Sequence, residues 1–189
     1  MKQCLALLLV IAASGRALWG QLGELQAGVI GSYGARDPYR GGAGLVFGVA
    51  PGRLVYTGLR WIYYGGATIS SGPAATPTNV RNRAQLFATD LGVEIPVTGG
   101  VDALPMVSLG VVQFAQRGYP TTGPVAGHSK EFFAAPGLAM EVSVGRIAVI
   151  PEVQYYFTGD TELTWPVRNR GLAVSVRLVF LAEVRRIRR

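Results

Sequence analysis

Seven charged residues sit where an alternating strand pattern turns them away from its apolar side: Arg60, Asp90, Glu94, Asp102, Glu141, Glu152 and Arg177. Held together inside a fold they would have to pair, because a buried charge without a partner is strongly destabilising. Two chemistries are open to such a set. One is a structural plug of salt bridges; the other is a polar path for protons or ions. The acids outnumber the arginines, so some carboxylates should hold a proton or meet Tyr56, Gln154 or Tyr156. A second candidate is His128 and Ser129, with Glu131 just beyond. Serine, histidine and carboxylate are the materials of an acyl hydrolase; the competing reading is a solvated loop. His128 is the one histidine and Cys4 the one cysteine, so no clustered metal-ligand set is visible. The third candidate is basic. Arg81, Arg83, Arg117, Lys130, Arg168 and Arg170 could grip phosphates through paired guanidinium contacts, or be ordinary loop charges.

Eight segments must position these residues. They cover 23–33, 42–50, 53–64, 82–97, 101–116, 131–144, 147–157 and 171–180. In each, β-branched, aromatic or leucine residues alternate with small or polar ones, the signature of a strand with one apolar face. The segment holding Arg60 puts Val55, Thr57, Leu59, Trp61 and Tyr63 on the other face. Each segment reaches the roughly 9–11 residues that a tilted strand needs to cross a bilayer. Short turns (Pro51-Gly52, Thr98-Gly99-Gly100, Gly145-Arg146) alternate with long connections at 34–41, 65–81, 117–130 and 158–170. The expected fold is all-β: an eight-stranded antiparallel up-and-down transmembrane β-barrel with short periplasmic turns and longer extracellular loops.

The faces decide which phase the apolar side meets. A soluble carrier barrel would cover its outside with Lys, Glu and Thr. Here the non-apolar face is Gly, Ala and Ser with isolated charges, which suits a narrow lumen of eight strands. The apolar face is therefore expected outward, toward lipid. Tyr63, Tyr64, Phe87, Phe114, Phe132, Phe133, Tyr155 and Phe157 cluster near the long-connection end, where an interfacial aromatic girdle belongs. Pro105, Pro136 and Pro151 fall inside strands, where a missing donor predicts local bulges or bends.

Composition agrees. Among 189 residues 49% are hydrophobic and only 15% charged, against about 25% charged in soluble domains. That excludes a disordered chain, and a single cysteine excludes a disulfide scaffold. Residues 1–20 read as a cleaved signal peptide: Lys2, an uncharged apolar run from Cys4 to Ser14, then a small-residue exit with cleavage at Gly20 or Ala17. Residues 21–180 then form the barrel and 181–189 a basic periplasmic tail. The leader and tail hold most of the net charge of +7. No nucleic-acid partner is therefore implied, and the basicity that remains is a modestly positive outer rim.

Residues 171–180, GLAVSVRLVF, resemble the terminal assembly signal of outer-membrane barrels, with Leu172, Val174, Val176, Leu178 and a final aromatic Phe180. The segment VIPEVQYYF at 149–157 resembles the penultimate strand of such proteins. With the leader, these features make residues 21–180 similar to the small bacterial outer-membrane barrels of the OmpA/OmpX-like superfamily. The resemblance implies export to the outer membrane, contact with lipid and lipopolysaccharide, and recognition by the barrel-assembly machinery. It implies no cofactor and no single activity. A structural or surface-interaction role is the leading expectation, with a small passive pore as one alternative. The other is a lipid A deacylase-like acyl hydrolase. In those barrels the catalytic histidine and serine are separated by one residue on a strand; here they are adjacent, and no asparagine follows the serine.

Overall fold

The computed structural model describes residues 22–51, 55–66, 68–71, 78–119, 125–163, 167 and 170–183. The expected leader (1–20) and the end of the expected tail (184–189) lie outside them, as does Arg168. The described chain forms ten strand segments: β1 (Leu22–Gly34), β2 (Gly42–Pro51), β3 (Val55–Tyr64), β4 (Thr68–Ser71), β5 (Thr78–Val93), β6 (Ile95–Thr98), β7 (Val101–Tyr119), β8 (Val125–Val144), β9 (Ile147–Thr158) and β10 (Arg170–Glu183). β6 continues β5 after a break at Glu94, and β4 is a short addition beside β5. Eight strands thus make the wall. Each pairs antiparallel with the next, and β1 pairs with β10, so the sheet closes on itself. Closure leaves the wall no free edge.

The turns explain the tight end. β6–β7 and β8–β9 are joined by Gly99-Gly100 and Gly145-Arg146, with Gly100 and Gly145 at φ 79° and 65°. Two-residue hairpins need a positive φ, which glycine adopts without steric cost. At the other end the strands outrun their expected limits. β7 and β8 stay paired from Val101↔Val142 out to Gly118↔Val125. Most of the 117–130 connection is therefore strand rather than loop.

The three prolines expected to bend the wall carry no register shift, whereas the β6–β7 register shifts between Pro96 and Thr98. Pro105, Pro136 and Pro151 all lie within continuous registers. No bulge forms there; the β8–β9 ladder instead skips the positions around Pro136 and around Pro151 and resumes in the same register. A missing N–H removes a bond without requiring an inserted residue. The break at Glu94 lies between Pro96 on the same strand and Pro105 on its partner.

Polarity is inverted relative to a water-soluble domain. The outward positions carry Leu45, Phe47, Leu59, Trp61, Phe87, Leu138, Val153, Val174 and Leu178, all exposed. The buried set is inward and mixes Ile62, Leu86 and Phe114 with Arg60, Asp90, Gln154 and Arg177. The expected aromatic cluster divides by parity. Phe87, Phe132, Tyr155 and Phe157 point out, whereas Tyr64, Phe114 and Phe133 fill the lumen.

Candidate functional site

The lumen is crossed at mid-height by four charges. Arg60 on β3 grips Asp90 on β5, Nε to Oδ1 at 2.7 Å and Nη2 to Oδ2 at 2.8 Å. Its Nη1 donates to Glu152 Oε1 on β9 at 2.8 Å. Arg177 on β10 donates from Nε to Glu152 Oε2 at 2.8 Å and makes a second, shorter contact through Nη2. The same Nη2 lies 3.5 Å from Asp90 Oδ2. Both links that cross the lumen, β3 to β9 and β5 to β10, join strands four places apart around an eight-strand wall. They tie opposite sides of the barrel together.

Two positive and two negative charges make the cluster neutral, and neutral groups complete it. Arg60 Nη1 also donates to Gln154 Oε1 at 2.8 Å. Gln154 Nε2 donates to Ser108 Oγ at 2.7 Å, and Ser108 donates to Asp90 at 2.6 Å. Tyr56 accepts from Arg177 Nη1 at 2.9 Å and sets its ring 5.6 Å from the guanidinium carbon. The tyrosine fits because two inward positions beside it are glycine. A Cβ on Gly48 would fall 2.6 Å from the Tyr56 ring and one on Gly58 2.5 Å from its hydroxyl. Tyr56 and Gln154, expected to serve the surplus carboxylates, thus accept from the arginines instead. A buried cluster with partners on every side is the arrangement that offsets desolvation.

An aromatic layer packs in the lumen on the long-connection side. Tyr39, from the β1–β2 connection, is buried in the barrel mouth and meets Tyr64 and Tyr156 edge-on, each at 5.2 Å. Tyr64 bonds Tyr156 at 2.9 Å and Ser32 at 2.8 Å, and Ser175 donates to Ser32 at 2.8 Å. Strand patterning could not place Tyr39, because it lies outside any strand.

Three of the seven expected lumen charges stay out of the network. Glu141 is inward and accepts from Gln26 Nε2 at 3.1 Å. Glu94 and Asp102 are half-buried near the short-turn end, with Glu94 at the β5–β6 break. The expected seven-member set is therefore a four-member crossing plus an acidic end. The reason is height. Asp90 and Glu152 share the level of Arg60 and Arg177, whereas the other three acids sit closer to the turns.

The His128 and Ser129 side chains lie on opposite faces of the wall. Both residues lie in β8 rather than in a loop, and adjacent strand residues face opposite ways. His128 is exposed on the outer face; Ser129 is buried and donates to Glu131. Among the described residues no group of acids, histidine or cysteine is arranged to hold a metal ion.

The rim cations separate into two places. Arg81 and Arg83 on β5 and Arg117 on β7 point outward with His128 around a cleft of ≈ 160 Å³. Lys130 lies on the same outer face, and Arg170 is outward on β10. On β10, Leu172, Val174, Val176, Leu178 and Phe180 are all exposed, and the strand runs three residues past Phe180 to Glu183.

No protein-family model and no curated protein matches the chain. Solved structures do. A major outer membrane protein from Thermus thermophilus superposes with a TM-score of 0.67 at 8% identity, over 85% of this chain and 99% of that one. Neisserial surface protein A gives 0.53 at 9% identity, over 85% and 96%. Ail, the attachment invasion locus protein of Yersinia pestis, solved in complex with the heparin analogue sucrose octasulfate, gives 0.51 at 10% identity, over 85% and 99%. At such identities the likeness is one of fold: the chain has the architecture of the small outer-membrane β-barrels.

Proposed function

We propose that the protein is an integral outer-membrane barrel with a structural or surface-interaction role and a lumen closed to steady flow. The observation that carries this reading is the inverted polarity. An apolar band covers the outside while every crossing charge lies inside. Hydrocarbon outside and a closed sheet whose strands all pair within the wall are mutually consistent, since lipid supplies no partner for backbone groups. The direct test is outer-membrane fractionation followed by electrophoresis with and without boiling. A folded barrel resists detergent and changes mobility on heating; a soluble protein without a heat shift would remove the proposal.

The closed lumen rests on the neutral crossing and the aromatic layer above it, since eight strands leave room for little more than side chains. Purified protein in planar bilayers is expected to give no steady conductance, and reproducible single-channel steps would reinstate the pore. In this reading the long-connection end faces outward and presents its cations to lipopolysaccharide. The polysulfated ligand in the Ail complex supports an anion-facing rim. The outward alternation of Leu172, Val174, Val176, Leu178 and Phe180 is what the barrel-assembly machinery would read on β10.

A further inference from the structure

Resting on the outer-membrane reading, we propose that one outer face of the barrel seats a single lipopolysaccharide molecule, with a phosphate in the Arg81–Arg83–Arg117–His128 cleft and an acyl chain in an apolar groove below it. Two separate features meet on β5 and β7. The cleft is the first. Arg81 pairs directly across the ladder with Arg117, both outward. Like charges opposite one another destabilise a sheet unless an anion lies between them. Arg83 stands opposite Ala115, and Ala115 opposite His128, so the small alanine opens a gap between an arginine and the histidine. Among the described residues no ion pair joins these side chains to a carboxylate. The ≈ 160 Å³ opening has room for one phosphate group.

The groove is the second feature. It measures ≈ 780 Å³ and lies on the outer wall across β1, β2, β3, β5 and β7. Leu45, Phe47, Leu59, Trp61 and Phe87 supply apolar walls. Arg60 and Ala88 also line it, and since their side chains are buried inward, backbone forms that part of the floor. The groove begins at Phe87 on β5 and Val111 on β7, each four residues below a cleft residue, Arg83 and Ala115. Four residues span about 13 Å of strand. The row between them is Gln85, Gln113 and Lys130, paired in register. From the rim downward the face therefore reads cation, amide, aromatic and aliphatic. A phosphorylated, acylated glycolipid has the same order of phosphate, polar sugar and hydrocarbon.

The test titrates full-length, refolded and delipidated protein with lipids, followed by native mass spectrometry. The probes are diphosphoryl lipid A, its deacylated headgroup, phosphatidylethanolamine and inorganic phosphate. The wild type is expected to retain one equivalent of diphosphoryl lipid A. Neutralising the cleft (Arg81→Gln, Arg83→Gln, Arg117→Gln together) should weaken retention at least tenfold with the heat shift intact. Filling the groove by Thr89→Trp should weaken lipid A but leave the deacylated headgroup unchanged. Equal retention by wild type and the triple variant would overturn the site. Inorganic phosphate or phosphatidylethanolamine competing as well as lipid A would overturn the assigned ligand. A wild type that binds no lipid A but keeps its heat shift would sink this inference alone. A wild type with no heat shift would sink the outer-membrane reading and this inference with it.

Discussion

Glu152→Gln is expected to lower the stability of the folded barrel by about 3–5 kcal/mol, the range seen when one partner of a buried ion pair is removed. Glu152 is the hub of the crossing: it accepts from Arg60 on one side and Arg177 on the other. Without its charge two buried guanidinium groups would share Asp90 alone. Glutamine keeps the volume, so the loss reports charge rather than packing. Urea unfolding in detergent micelles, read as the loss of the heat-shifted band, measures it. A change below about 1 kcal/mol would mean that water reaches the crossing and that the lumen is not closed. Replacing all four charges together by apolar residues of similar size should do far less damage, because an intact buried ion-pair set is often no more stable than its apolar equivalent. That contrast separates a plug from a stabilising element.

The second large effect tests the phase outside the wall. Leu59→Arg places a cation in the middle of the apolar band, where Leu59 is 56% exposed. In a bilayer this should cost about 2–4 kcal/mol at the midplane, and the same exchange at Val144, beside the Gly145-Arg146 turn, about 0–1. Refolding into lipid vesicles with a urea titration gives both numbers. A soluble barrel would be indifferent to both changes, since each replaces an exposed apolar side chain with a charge. Equal and small effects at the two positions would therefore deny the lipid contact that the proposed function rests on.

Particular residues show what was legible. The alternation Val55, Thr57, Leu59, Trp61 and Tyr63 against Tyr56 and Arg60 predicted the two faces of β3, and burial follows it. Parity is local, so a single strand carries it. The 117–130 segment misled for the converse reason. Its glycines, prolines and threonines read as loop, yet β7 and β8 remain paired through much of it. A partner strand already in register extends a ladder through residues that would not start one. His128 and Ser129 thereby became strand neighbours on opposite faces, and the hydrolase reading lost its geometry.

Which residues point inward, and that the inward set carries charge, follow from the order of side chains along each strand and the spacing of turns. Both are short-range properties that the sequence alone determines. Which charges meet does not follow from them. Arg60 and Glu152 lie 92 residues apart, on opposite walls. Their meeting depends on strand register and on how the sheet closes. A shift of one residue in any pairing would turn the affected side chains to the other face. The tertiary structure alone decided that four charges cross the lumen while Glu94, Asp102 and Glu141 stay at the turn end. It also brought Arg81, Arg83, Arg117 and His128, drawn from three strands, around one cleft.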